Sequence, residues 1–411
     1  MTTRRKARLR IVQISAEYPP DPGGVGDYTR LLSRALSARG HQLTVLTGTS
    51  TRRSQQSAEL GDPEICPAVR AWNWDATAPL LQAIAERRPD VVHIQYQTGA
   101  YAMHPAINML PWRIRRLSNA PQVVVTAHDL RVPYLLPKAG WLRRWVTRRL
   151  LADAGARIVT NAADQIRLAG GNRSGDPDIY RSRTSLPATV IPIGSNIAPE
   201  PPAGYARAVW RRRLGIEDQE IVFVFFGLAT PSKGLLEIIE VLAALPPIAR
   251  LLVVGGEGRQ GTDQRYVVAV KQAVESLGLA ERVIFTGYCD PATVSAHLMA
   301  ADIGALPFRD GASYRRGSLL ALLAHGVPLV TTLPEAPLSP PLIDERHALL
   351  VAPGDTLALR QAARRLLVDP ALRARLSSGA RSLHDHFAWP SIAAAHEDVY
   401  NTLLERHVLN D

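Results

Sequence analysis

Residues 305–332, ALPFRDGASYRRGSLLALLAHGVPLVTT, set small turn residues and two arginines at the start of an apolar helix, a pattern suited to holding an anion. A short buried strand, 303–306, is expected to enter the turn Asp310-Gly311-Ala312-Ser313. The chain then passes Arg315 and Arg316, and a helix over 319–324 begins behind Gly317-Ser318. Gly326 ends that helix, and 328–331 reads as the next strand. Free amides and the dipole at a helix start favour negative charge, and forked guanidinium donors match phosphate oxygens. The same stretch also reads as an ordinary strand–turn–helix corner with solvated arginines. A second candidate is the loop 16–27, AEYPPDPGGVGD, where Gly23, Gly24 and Gly26 would let a backbone approach a phosphate or a sugar. A purely structural turn would look alike.

The elements that must carry these loops alternate. A strand over 9–15, the glycine loop, a helix over 28–38 stopped by Gly40 and a strand over 42–47 make one strand–helix–strand unit. Ligands bind at the carboxyl ends of strands in open parallel sheets, which is where the glycine loop falls. Its spacing is not the dinucleotide fingerprint and no acidic residue ends the second strand, so a nicotinamide cofactor is not expected. Helix 79–87, strands 90–95, 122–126 (ending at His128-Asp129) and 156–160, and a last strand 188–191 continue the series, with 170–187 a surface insertion. The proline-rich stretch 198–204 reads as a linker. A second series follows: strand 221–226, turn 227–232, helix 233–245, strand 251–254 ending in Gly255-Gly256, helix 266–277, strand 283–285 and then the arginine stretch. Helices over 357–367, 372–377 and 390–406 close the chain. The expected fold is α/β: two doubly wound parallel-sheet domains, 1–198 and 199–387, facing a cleft whose glycine turns would meet one elongated anionic ligand.

Bulk properties agree with this reading. At 411 residues the chain is too long for one ordinary core. A charge of +11 points to an acidic partner, but no basic run with interleaved aromatics resembles a nucleic-acid module, so nucleic acid is not an expected partner. Two distant cysteines, Cys66 and Cys289, exclude a disulfide scaffold and suit a reducing, cytoplasmic compartment. The basic start reads as a tail rather than a signal peptide, and no run reaches the roughly 18 apolar residues of a spanning helix. Between 138 and 151, Trp141, Leu142, Trp145, Val146 and Leu150 fall near one helical face with Arg143, Arg144, Arg148 and Arg149 mostly elsewhere. That face serves either an anionic membrane surface, the inner face of the membrane, or the sheet.

The segments RPDVVHIQ (88–95), TAHD (126–129), VIPIGSN (190–196), FFGLATPSKG (225–234), LLVVGGEG (251–258), VIFTGY (283–288) and AHGVPLVTT (324–332), with the loop at Gly23, together resemble glycosyltransferase family 4 of the GT-B fold. The resemblance covers nearly the whole chain. It implies two Rossmann-like domains, with the first as the acceptor side and the second as the nucleotide-sugar side. Helix 388–408 would cross back onto the first. It implies retaining transfer of a sugar from a UDP-sugar or GDP-sugar donor to a glycan, lipid-linked or small-molecule acceptor, with no metal and no other cofactor. Catalytic roles would fall to His128 beside the donor sugar, Lys233 on the phosphates, and Arg316. The donor would meet Gly23, Gly24, Asp129, Gly227, Gly256 and Tyr288, the last beside the base. Asp310 would take sugar hydroxyls, and Gly311, Ala312, Ser313, Arg315, Gly317 and Ser318 would cradle the distal phosphate.

Three positions depart from the family pattern. Leu228 stands where the family usually has an arginine, and Ser313 and Ala321 stand where it usually has paired glutamates. This marks a divergent branch in which Arg315 or Arg316 would supply the missing charge. The alternative is a catalytically degenerate nucleotide- or glycan-binding scaffold; a phosphorylase of similar fold is a third and weaker reading. No Asp-x-Asp motif is present in a metal-binding context, and His384 and His386 read as a solvated helix end rather than metal ligands.

Overall fold

The computed structural model describes residues 8–21, 23–49, 62–130, 140–169, 187–256 and 261–408, without the side chains of 140–144, 261–262 and 408. The expected insertion at 170–187 and the side chains of Trp141, Leu142, Arg143 and Arg144 therefore lie almost wholly outside the described residues. The chain divides into two units, Met1–Ile193 with Trp389–Asp411, and Gly194–Ala388. The first unit runs to Ile193, ahead of the proline-rich stretch, because Ile191 and Ile193 still pack into its core.

The first unit contains β1 (Arg10–Ile14), α1 (Gly24–Ala38), β2 (Gln42–Gly48), β3 (Glu64–Val69), α2 (Thr77–Arg87), β4 (Val91–Tyr96), α3 (Leu110–Ile114), β5 (Gln122–Ala127), α4 (Gly140–Ala152), β6 (Ala156–Val159), α5 (Ala162–Leu168) and β7 (Thr189–Val190). Among the described residues these strands form one parallel sheet in the order β3-β2-β1-β4-β5-β6-β7. Order reverses between β1 and β4, which opens the usual ligand crevice at their carboxyl ends. Alternate residues feed the two faces: Val12 and Ile14 join one core, Ile11 the other. Both faces are buried, so β4 reads as a continuous apolar run broken only by His93 and Gln95.

The second unit holds α6 (Arg207–Arg213), β8 (Ile221–Phe226), α7 (Leu235–Ala243), β9 (Ala249–Val254), α8 (Gly261–Ser276), β10 (Val283–Gly287), α9 (Pro291–Ala300), β11 (Ile303–Leu306), α10 (Gly317–Ala324), β12 (Leu329–Thr332), β13 (Leu349–Val351), α11 (Thr356–Val368) and α12 (Pro370–His384). Its parallel sheet runs β10-β9-β8-β11-β12-β13, reversing between β8 and β11. Helix α10 is buried on every side, which explains its uninterrupted Leu-Leu-Ala-Leu-Leu run. It lies so close to β11 that a Cβ on Gly304 would stand 2.0 Å from Leu322 Cδ2.

The last helix, α13 (Trp389–Val408), packs on the first unit beside α1 and β5. Ile392, Ala393 and Tyr400 complete a core face there. Tyr28 donates to His396 Nε2 at 3.2 Å, while His396 Nδ1 donates to the Ile392 carbonyl at 2.8 Å. Arg39 and buried Glu397 form an ion pair alongside.

Several boundaries differ from the sequence reading. Helix α1 starts at Gly24, so Gly24 and Gly26 belong to its first turn rather than to a loop; Gly26 fits because a Cβ would meet the Glu17 and Tyr18 backbone at 2.9 Å. Lys233 does not open a helix: it ends a tight turn, Pro231–Lys233, and left-handed Gly234 (φ 72°) separates it from α7. Strand β3 went unread because it contains Pro67, which an edge strand tolerates. Helix α9 was missed although Asp290 caps it and Pro291 opens it, a legible start signal.

Candidate active site

In the second unit the loops after β8 and β11 meet at the switch point of the sheet. The Arg309 amide donates to the Ser232 carbonyl at 3.0 Å, and a Cβ on Gly234 would stand 2.2 Å from the Pro307 carbonyl oxygen. Arg309 also pairs with Glu237 of α7 at 2.5 Å. This lacing fixes Lys233 against the chain. Its ammonium lies over Gly227 (φ 126°), where a Cβ would be 2.3 Å from Nζ. No other residue could occupy position 227 without moving the lysine.

Arg316 approaches the same point from the β11 side. Its guanidinium stacks 4.3 Å from the Phe308 ring centroid and pairs with Asp310. Burial first, and then the Arg316 charge, pull the Lys233 ammonium down to about 8. Two cations held together without an equal number of carboxylates make a site that gains from an anion. Among the described residues, Arg316 Nε and Ser318 Oγ are buried without a hydrogen-bond partner, and α10 begins with no side-chain cap. Unmet donors and a bare helix start therefore converge around Lys233.

The structure thus gathers Gly227, Lys233, Asp310, Arg316 and Ser318. Gly311 (φ 78°) is buried beneath the loop, where a Cβ would press on the Leu333 carbonyl, and Ala312 is buried with it. Ser313 accepts from the Arg315 amide at 3.3 Å, and Gly317 opens α10 with open space above its Cα. Asp310 is committed to Arg316 rather than standing alone for sugar hydroxyls. Gly256 and Tyr288, at the ends of β9 and β10, border the Gly227 turn, where the Ala229 amide donates to the Gly256 carbonyl at 3.4 Å. There the exposed Leu228 side chain and Tyr288, 89 % exposed, flank Gly256, where a Cβ would meet each at just under 4 Å.

In the first unit His128 ends β5. Its Nε2 donates to Gln95 Oε1 at 3.0 Å, and its ring meets Tyr28 edge-on at 4.7 Å. The neighbouring Asp129 carboxylate accepts from the Thr98 amide and hydroxyl, each at 3.4 Å. Behind His128, Tyr400 donates to His93 Nδ1 at 2.8 Å and His93 Nε2 donates to Thr126 at 2.7 Å. Burial holds His93 and His396 well below the ordinary imidazole range, His396 at about 4.

The glycine loop departs most from expectation. The space that Gly23 would open to a diphosphate holds the Glu17 carboxyl, which lies where a Gly23 Cβ would be, 2.0 Å from Oε2, and accepts from the Val25 amide, while a Cβ on Gly24 would meet nothing within 4 Å. Burial raises the pKa of both Glu17 and Asp27. Sequence reasoning missed Glu17, although it lies within the singled-out loop 16–27, and Gln95, which ends the expected strand 90–95. Two of the three described residues of the expected stripe on α4 serve the core: Val146 and Leu150 are buried, while Trp145 is 46 % exposed under Arg149.

Two parallel α/β sheets of this topology, each with its conserved type of crevice at the strand ends, define the GT-B class of fold. Residues 23–175 match the family described as a glycosyl transferase 4-like domain, and residues 220–369 that described as glycosyl transferases group 1. The D-inositol 3-phosphate glycosyltransferase of Xylanimonas cellulosilytica is 26 % identical over 430 residues, covering 97 % of each chain. The glycogen synthase of Mycobacterium tuberculosis is 27 % identical over 438 residues, covering 95 % of this chain and 94 % of its own. Among solved structures, Anabaena HepE in complex with UDP superposes with a TM-score of 0.71 at 19 % identity, over 96 % of this chain and all (100 %) of that one. The chain belongs to family 4 of the GT-B-fold glycosyltransferases.

Proposed function

We propose that this glycosyltransferase uses a nucleotide-diphosphate sugar, releases the nucleotide diphosphate without a metal ion and retains the configuration of the transferred sugar. The observation that carries the reading is the Lys233–Arg316 pair at the uncapped start of α10, with unpartnered donors on Arg316 and Ser318. As the bond from the anomeric carbon to the diphosphate oxygen breaks, its electron pair moves to the diphosphate. Lys233, Arg316 and the α10 amides would stabilise that charge as preorganised donors, the role a divalent ion plays elsewhere. The acceptor oxygen bonds the anomeric carbon, and its proton passes to the departing diphosphate. Arg316 takes the part of the arginine absent at Leu228. His128, oriented through Gln95, would stand at the acceptor side of the reacting centre.

The UDP bound in the HepE structure makes UDP the first nucleotide to try. Calorimetric titration with UDP, GDP and ADP, each with Mg²⁺ and with chelator, tests the reading. Micromolar binding of one nucleotide, unchanged by chelator and lost in Lys233→Ala, is the expected result. Absence of binding, or an absolute need for Mg²⁺, would overturn it and favour the scaffold alternative or a metal-dependent site.

A further inference from the structure

The crevice between β1 and β4 in the first unit carries groups that nothing above has used. The loop after β4 holds two consecutive non-glycine residues in the left-handed region, Ala102 (φ 53°) and Met103 (φ 58°). Such strain persists only where surrounding contacts impose it. Here the Ala102 amide donates to Gly99, the Met103 amide to Thr98 and the His104 amide to Tyr101, while the Tyr101 hydroxyl lies 3.1 Å from both the Ile14 and Gln95 carbonyls. The strained turn thereby presents His104 to Trp74, edge to face with ring centroids 5.3 Å apart, and Tyr101 to Trp72 at 4.8 Å.

Trp74 is 51 % exposed in a tight turn, Trp74–Ala76, that is fixed by Asn73, whose side chain accepts from the Asp75 amide. Beside it, His104 Nδ1 accepts from the Ala106 amide at 3.1 Å, and burial lowers its pKa, so its neutral form carries the proton on Nε2. An aromatic face flanked by an imidazole N–H donor and the Asp75 carboxylate fits a sugar ring, whose C–H faces are apolar and whose edges are hydroxyls. Two carboxylates on this side of the crevice, Glu17 near Tyr101 and Asp27 near Glu17, disfavour a phosphorylated ligand, and Arg30, which faces Asp27, offsets part of that charge.

We propose that the Trp74–His104 step binds an uncharged pyranose of the acceptor, stacked on the indole and hydrogen-bonded by His104 Nε2 and Asp75. The inference rests on the transferase reading above and narrows its acceptor to a neutral glycan end. It also separates this chain from the relative named for D-inositol 3-phosphate.

The test uses the full chain with indole-labelled tryptophan, whose seven ring signals are assigned by substitution. Methyl glucoside, galactoside and mannoside are titrated beside their hexose 6-phosphates and D-inositol 3-phosphate, and UDP is titrated separately. At least one neutral glycoside should shift the Trp74 signal saturably. Trp74→Ala should weaken that binding roughly tenfold, as the loss of one stacking face does, and His104→Gln should weaken it less. Trp145→Ala, equally exposed elsewhere, should leave it unchanged, and UDP affinity should stay the same in all three. A shift with the phosphorylated compounds alone, no shift with any sugar, or glycoside binding that survives Trp74→Ala would overturn the proposal. Failure of UDP to bind the wild type would strike the donor reading instead, so the two failures are distinct.

Discussion

If Lys233 holds the diphosphate, nucleotide affinity must follow its protonation. The free protein keeps this ammonium at about 8 because it is desolvated and faces Arg316. It is then about nine-tenths charged at pH 7 and about one-tenth charged at pH 9. A diphosphate restores the missing negative charge, raises the lysine's pKa in the complex and binds the protonated form. The association constant of UDP should therefore fall about tenfold from pH 7 to pH 9, tending to tenfold per pH unit above the titration. A charge-assisted hydrogen bond contributes about 1.5–3 kcal/mol, so Lys233→Ala should weaken UDP by about 10- to 150-fold at pH 7. It should also flatten the profile, because the titrating ammonium is gone. Calorimetry at pH 7, 8 and 9 on both proteins measures this. A flat wild-type profile, or a pH dependence that persists in Lys233→Ala, would refute the assignment.

Three further outcomes follow from other parts of the molecule. Gly304→Ala places a methyl 2.0 Å from Leu322 Cδ2 in a fully buried contact, so it should cost about 1–3 kcal/mol and, by displacing α10, weaken UDP; thermal unfolding and calorimetry together check it. His396 is neutral in the fold down to about pH 4, whereas an unfolded histidine takes its proton near 6.5. The unfolded state thus binds more protons in that window. The associated stability, on the order of 3 kcal/mol, is present above pH 6.5 and lost as pH falls toward 4, with His93 acting in the same direction. Urea unfolding should show His396→Gln reducing the pH slope by up to about 1.4 kcal/mol per unit, and equal slopes would contradict it. Trp145, exposed under Arg149, and half-buried Trp112 under Arg116, 3.6 Å from its ring centroid, are the aromatic-basic pairs left once Val146 and Leu150 of α4 enter the core. Binding to anionic vesicles at low salt should drop in the double Trp→Ala variant, and wild-type protein that stays in solution would show that the surface meets only water.

What was legible in the sequence was whatever is written locally. Strand runs such as 221–226, the stop at Gly40 and the small-residue turn before α10 are fixed by neighbours in the chain, and they lie where the residues say. The site itself depends on contacts between loops far apart in sequence. Lys233 acquires its lowered pKa only because Gly227 and Gly234 let it settle against the loop after β11, which brings Arg316 to it. Residue types and spacing offered the lysine, the arginine and the glycines separately; only the family resemblance set Lys233 and the turn at Arg316 on one diphosphate. The same limit explains the glycine loop. Its residues are those of an anion-binding turn, yet a carboxyl only six residues before Gly23 folds back and fills it. Charge at a helix start is a competition, and the chain's own Glu17 enters it at an effective concentration that a free diphosphate cannot match. At α10 Asp310 is turned onto Arg316, and among the described residues Arg316 Nε and Ser318 Oγ are left buried without a partner. The two loops look alike as sequence, and the placement of one acidic side chain fills the helix start of the first and leaves unpartnered donors at that of the second.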